Sequence, residues 1–122
     1  MPQEELFVVG EYIEEFNIAT GQALPCGAVY QSAGLSVHIQ KRHPDEIDLL
    51  NHVPEVIHEP DFIGKNPREP YSIELVKLLE KNVMVCIKLD MKHSYLYVAS
   101  VYSINEAKLK SRVQSGRLKP FA

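Results

Sequence analysis

The sequence predicts an α+β fold, with N-terminal helices packed on a roughly four-stranded antiparallel sheet and a C-terminal helix. Three observations lead there. Two runs rich in β-branched and aromatic residues, Val83–Asp90 and Ser94–Ile104, flank a short polar connection around Lys92-His93; such runs pair as an antiparallel hairpin. Helix signals dominate residues 28–58, whereas the strand-like segments after residue 60 follow one another on short connections. A last helical stretch, Glu106–Gln114, is opened by Asn105, a capping residue. Helices followed by sequential strands imply helices laid on one sheet face.

Size and composition set the frame. A chain of 122 residues holds one domain with a real core. Apolar residues make up 45% and charged residues 24%, the usual balance of a soluble globular protein. No apolar run approaches membrane-spanning length, so no membrane partner is expected. The start, Met-Pro-Gln-Glu-Glu, is acidic and lacks the basic and apolar regions of a signal peptide. Cys26 and Cys86 lie far apart with no CxxC spacing, which points to a reduced, cytoplasmic chain. The net charge of -3 conceals an asymmetry: residues 1–80 carry 5 Lys/Arg against 14 Asp/Glu, and residues 81–122 carry 8 against 2. The C-terminal third can attract phosphate. Equally, acidic and basic segments can pair within the fold.

Taken in order, residues 5–13 read as a strand. Residues 14–27 hold Asn17, Thr20, Gly21, Pro25 and Gly27 and read as loop, with a short strand at Asn17–Ala19 as an option. From Ala28 to about Arg42, the positions Val29, Ala33 and Val37, beside Leu35 and Ile39, form a helical stripe. His43 precedes Pro44 and is biased out of the helical region, so the helix stops there. Pro44 followed by Asp45 and Glu46 suits a new helix start. A further short helix covers Pro54–His58, with proline in its first turn. Asp61–Gly64 reads as a short strand, 65–70 as loop, and Ser72–Leu79 as an alternating strand with a helix as competitor. Gly116 ends the last helix, leaving Arg117-Leu118-Lys119-Pro120 as a basic tail.

The densest polar cluster is His38-Ile39-Gln40-Lys41-Arg42-His43-Pro44. His38, Lys41 and Arg42 share a helix face. An imidazole near two cations favours the neutral form that a general base needs; a basic last turn that complements the helix dipole explains the same residues. His38 and His43 lack the spacing of a helical zinc pair and no HExxH occurs, so no metal site is expected. GxxxxGK[ST], GxGxxG and GxSxG are absent too, so nothing in the sequence calls for a cofactor.

Lys88 sits in mid-strand, and its surroundings depend on register. An even-numbered turn places it opposite Tyr97, on a face with Tyr95, Ala99 and Val101. An odd connection or a bulge places it with Leu96, Val98, Ser100 and Tyr102. The first leaves a lysine snorkelling over solvated aromatics; the second gathers a cation, a hydroxyl and a phenol.

Six blocks in order, HIQKRHP, PDFIGKNP, SIELVK, VCIKLD, SYLYVASVY and EAKLKSRVQSGRLK, resemble the phage-associated BECR-like nuclease domains, grouped with barnase, EndoU, the tRNase colicins and RelE. The resemblance runs over about residues 27–119. It divides the chain into an N-terminal extension, 1–26, holding a strand or hairpin, and a nuclease-like domain, 27–122. It implies helices before a four-stranded antiparallel sheet, metal-independent cutting of RNA, and an origin in phage, mobile elements or toxins. Carried over by position, it implies a catalytic set of His38, His43, Lys88, Ser100 and Tyr102. Ser100 stands where relatives commonly have threonine or serine and keeps the hydroxyl. Lys41, Arg42, Arg112 and Arg117 are then the RNA contacts.

Such chemistry needs a base for the 2′-hydroxyl proton, a cation for the charged phosphorane and an acid for the leaving oxygen. His38 and His43 fill the first and last roles in either order, Lys88 the second. RNA is the expected partner, with a cognate inhibitor or host protein as a second. The rival reading is a non-catalytic RNA- or protein-binding module of the same fold, and a third is an inhibitor or adaptor whose acidic half covers a basic partner. The oligomeric state stays open.

Overall fold

A computed structural model describes residues 5–121. Residues 1–4, part of the expected extension and its acidic start, and residue 122 lie outside the described residues. Among the described residues the chain forms seven strands, four α-helices and one 3₁₀ helix. In order these are β1 (Leu6–Tyr12), α1 (Glu14–Thr20), β2 (Gly27–Ser32), α2 (Ala33–Arg42), the 3₁₀ helix Pro44–His52, α3 (Val53–His58), β3 (Phe62–Gly64), β4 (Ser72–Leu78), β5 (Asn82–Asp90), β6 (Tyr95–Ser103), α4 (Glu106–Gln114) and β7 (Leu118–Pro120).

The α+β class holds, but the sheet differs from the four antiparallel strands expected. It is one mixed sheet of seven strands in the order β1-β2-β6-β5-β4-β3-β7. β2 runs parallel to β6, pairing Val29 with Leu96 and Tyr30 with Tyr97. The other neighbours are antiparallel. A parallel pair needs a long crossover, and everything from Ala33 to Ser94 supplies it.

Three local expectations are corrected. Residues 28–42 are not one helix: Gly27–Ser32 alternates, with Val29 and Gln31 buried, and forms strand. Ser32 then caps α2, its Oγ accepting from the Leu35 N–H at 3.3 Å. Residues 14–20 are helix rather than loop. Two acids open α1 and Gly21 closes it in the left-handed conformation, at φ 75°. Asn17 there builds no turn; it is buried, accepting from Tyr12 Oη at 2.7 Å and from the Leu24 N–H at 3.0 Å. The basic tail is also strand: Leu118–Pro120 pairs with β3 and puts Leu118 into the core.

The sheet buries both faces unequally. Ile73, Leu75, Val83, Val85 and Ile87 point to one side, into the larger core with Tyr12, Phe16, Val53 and Ile57. α3 packs there across β1, β4 and β5. The extension expected at 1–26 therefore carries β1 and α1 and adds Tyr12, Phe16 and Leu24 to that core. On the opposite side α4 covers one end only, its Leu109 packed with Val76, Met84 and Leu118. Beyond it the face stays open around Cys86 and Lys88, and the polar groups gather there.

Candidate active site

The open face is built by parity. On β5, Met84, Cys86 and Lys88 alternate with the core residues Val83, Val85 and Ile87. Directly opposite on β4 stand Ser72, paired with Lys88, and Glu74, paired with Cys86. On β6 the pairing runs Asp90 to Tyr95 and Lys88 to Tyr97, then slips: Ile87 meets Val98 but Cys86 meets Ser100. Ala99 is the extra residue, a β-bulge. Neither alternative for Lys88 holds whole, because Leu96, Val98 and Val101 all face the core. Lys88 lies opposite Tyr97, as an even turn requires, and the bulge rotates Ser100 and Tyr102 onto its face.

Lys88, Ser100 and Tyr102 line one hollow of about 260 Å³, together with Asn66, Glu69 and Glu74. His38 and His43 line the next, about 360 Å³, between α2 and β6. The two hollows share Ala99, Ser100 and Tyr102. α2 reaches β6 because β2 pairs with it only at Val29 and Tyr30. Further along, the Glu46 Oε2 from the 3₁₀ helix accepts from the Ser103 N–H at 2.7 Å, standing in for a strand neighbour. Lys41 and Arg42 are exposed on the last turn of α2 and do not line this hollow.

Electrostatics separate the cations. Lys88 Nζ lies 3.0 Å from Glu69 Oε2, with both side chains partly exposed. Arg117 is bound twice to buried Glu74, Nε to Oε1 at 2.8 Å and Nη2 to Oε2 at 2.7 Å, and these bonds hold the guanidinium firmly charged. Arg112 Nη1 lies 3.4 Å from Met84 Sδ and also hydrogen-bonds toward Tyr102. Burial pushes the Cys86 thiol up, opposed by hydrogen bonding from Ser100. Tyr102 is raised as well, first by burial and then by Cys86, while Arg112 acts against the shift. Among the described residues no three His, Cys, Asp or Glu side chains are grouped to hold a metal ion, and no helix is long and apolar enough to cross a membrane.

Two imidazoles, a lysine, a hydroxyl and a phenol thus line a depression made of two adjoining hollows, with Glu74 in the lining of one. Residues 7–111 match the family described as phage-Barnase-EndoU-ColicinE5/D-RelE like nuclease3. The chain belongs to this nuclease family. No curated protein and no solved structure matches it. The family match begins at residue 7 and so takes in β1 and α1.

Sequence reading missed several groups that line these hollows. Glu69, Glu74 and Cys86 belong to the Lys88 hollow and Glu46 to the histidine hollow. The signal for Glu74 was present: Ser72 and Glu74 alternate with Ile73 and Leu75, marking a polar stripe on an otherwise apolar strand. Glu69 and Glu46 sit in a loop and a 3₁₀ helix, where no period points at a neighbour.

Proposed function

We propose that this domain is a metal-independent endoribonuclease, cutting RNA, with tRNA among its candidate substrates, through attack of a 2′-hydroxyl on the adjacent phosphorus. The observation that carries the reading is the junction of two hollows at Ser100 and Tyr102, with histidines on one side and Lys88 on the other. One of His38 and His43 takes the 2′-hydroxyl proton as the 2′-oxygen bonds to phosphorus. The other donates a proton to the departing 5′-oxygen. Products are a 2′,3′-cyclic phosphate and a 5′-hydroxyl end. Lys88 offsets the charge of the phosphorane, and the Ser100 and Tyr102 hydroxyls hydrogen-bond its oxygens. Arg112 contacts a neighbouring phosphate; Arg117 shapes the floor through Glu74; Lys41 and Arg42 meet the strand outside the hollow.

The test is cleavage of total RNA and tRNA in EDTA, wild type beside His38→Ala and Lys88→Ala, with analysis of the 3′ ends. Cyclic phosphate ends from the wild type, and losses of about 10²–10⁴-fold in the variants, are the expected result. One observation favours the rival, a non-catalytic RNA- or protein-binding module: Lys88 already has a carboxylate partner in Glu69, on a chain of net charge -3. A well-folded wild type that cuts none of several RNAs selects that module. Capture of a cognate inhibitor or host protein is then the next experiment.

A further inference from the structure

We propose that the aromatic row beside this depression, Tyr30, Tyr95 and Tyr97, is a stacking subsite for bases of single-stranded RNA flanking the scissile phosphate. This rests on the nuclease reading above and names its substrate class.

The row follows from the same parity as the site. Tyr95 and Tyr97 precede the bulge on β6, and Tyr97 pairs with Lys88, so both tyrosines stand on the Lys88 face. Tyr30 joins them from β2, opposite Tyr97 in the parallel pair. The Tyr30 and Tyr95 rings meet edge to face, 5.8 Å apart at 89°. Tyr95 and Tyr97 lie 6.1 Å apart at 58°, and His93 extends the row at 6.2 Å from Tyr95. All three tyrosines are half-buried, so part of each remains open to a ligand.

A third hollow of about 500 Å³ lies against Tyr95 and Tyr97 but not Tyr30, lined also by Asp90, Ala99 and His38. It shares Leu35, His38 and Ala99 with the histidine hollow. A strand whose phosphate sits near Ser100 is thereby led past His38 onto the tyrosines. The lining decides which part of the nucleotide fits. No lysine or arginine lines this hollow, and Asp90 repels phosphate. Aromatic faces instead stack on any base, which makes the subsite tolerant of sequence. A base inside a duplex is already stacked and cannot reach a ring, so the subsite selects unpaired RNA.

The experiment uses a short single-stranded RNA made uncleavable by 2′-O-methyl groups, with binding read by fluorescence anisotropy. A single abasic position is moved along the oligonucleotide against the wild-type protein. Tyr97→Leu and Tyr97→Phe are compared, with melting temperature as the folding control. The expected result is roughly tenfold weaker binding at one abasic position and in Tyr97→Leu, retention in Tyr97→Phe, and no further loss when the abasic strand meets Tyr97→Leu. Duplex RNA should bind more weakly than the single strand. Cleavage by the wild type with no sensitive abasic position overturns the subsite and leaves the nuclease reading standing. A wild type that neither binds nor cuts RNA removes both, and binding of a protein instead reassigns the row as a docking surface.

Discussion

Arg117 and Glu74 form a two-pronged ion pair across the floor of the open face, at 2.8 and 2.7 Å, with Glu74 only 2% exposed. A carboxylate so placed is tolerable only with its partner. Arg117→Ala should therefore cost about 3–5 kcal/mol, the penalty of a stranded buried charge. Replacing both, Glu74→Leu with Arg117→Met, should recover most of that loss. Urea unfolding of the two singles and the double decides the matter; simple additivity would show that the residues are not coupled.

Gly64 is irreplaceable for a reason of space. A Cβ there would lie 1.7 Å from the Arg117 carbonyl oxygen, in the strand pair that holds β7. Gly64→Ala should push β7 off β3 and cost about 1–3 kcal/mol or more. Hydrogen exchange of the Leu118 and Lys119 amides measures this directly, and protection equal to wild type would refute it.

The neighbouring parities of β5 predict opposite outcomes. Val85 is fully buried in the larger core, and Val85→Ala should lose roughly 1–3 kcal/mol. Lys88 is held by a partly exposed ion pair, worth about 0–1 kcal/mol, so Lys88→Ala should melt close to wild type. A large drop in melting temperature for Lys88→Ala would make the lysine structural.

Asp90 gives the hairpin a pH response. Its Oδ1 accepts from the N–H groups of Lys92 and His93, at 2.9 Å each, and these bonds, that of His93 foremost, hold its carboxyl below the ordinary value. A depressed acid stabilises the fold fully above its unfolded value, about pH 4. That stability fades as pH falls through the folded value. Asp90→Asn keeps an acceptor and removes the titration. Melting temperatures taken between about pH 2 and pH 6 should therefore fall more steeply in wild type than in Asp90→Asn; parallel curves would exclude the effect.

Much of this architecture was legible because the periods were strong. Ser72–Leu78, the hairpin and the Asn105-capped helix form where pattern and cap agree. The failures have physical causes. Val29, Ala33 and Val37 fit a helical stripe by spacing, yet Val37 is 67% exposed and Val29 belongs to a strand; Ser32 was the boundary marker between them. Asn17 looked like a turn former, although its side chain is spent inside the core. Leu118 found its strand partner 54 residues earlier in Gly64, which no local window sees. The gathering of Lys88, Ser100 and Tyr102 depends on Ala99, and a bulge has no residue signature in this stretch.

The order of the strands bears on how such a protein is made. Synthesis runs from the N-terminus, so β1, β2 and α2 emerge long before β6, the strand that β2 joins. His38 of α2 and His43 just after it cannot be set beside Ser100 until β6 has been made and placed. Arg117 arrives later still and closes the floor through Glu74. No nascent fragment ending short of β6 contains both hollows. Assembly of these hollows is thus a late event, completed only when most of the chain has been made.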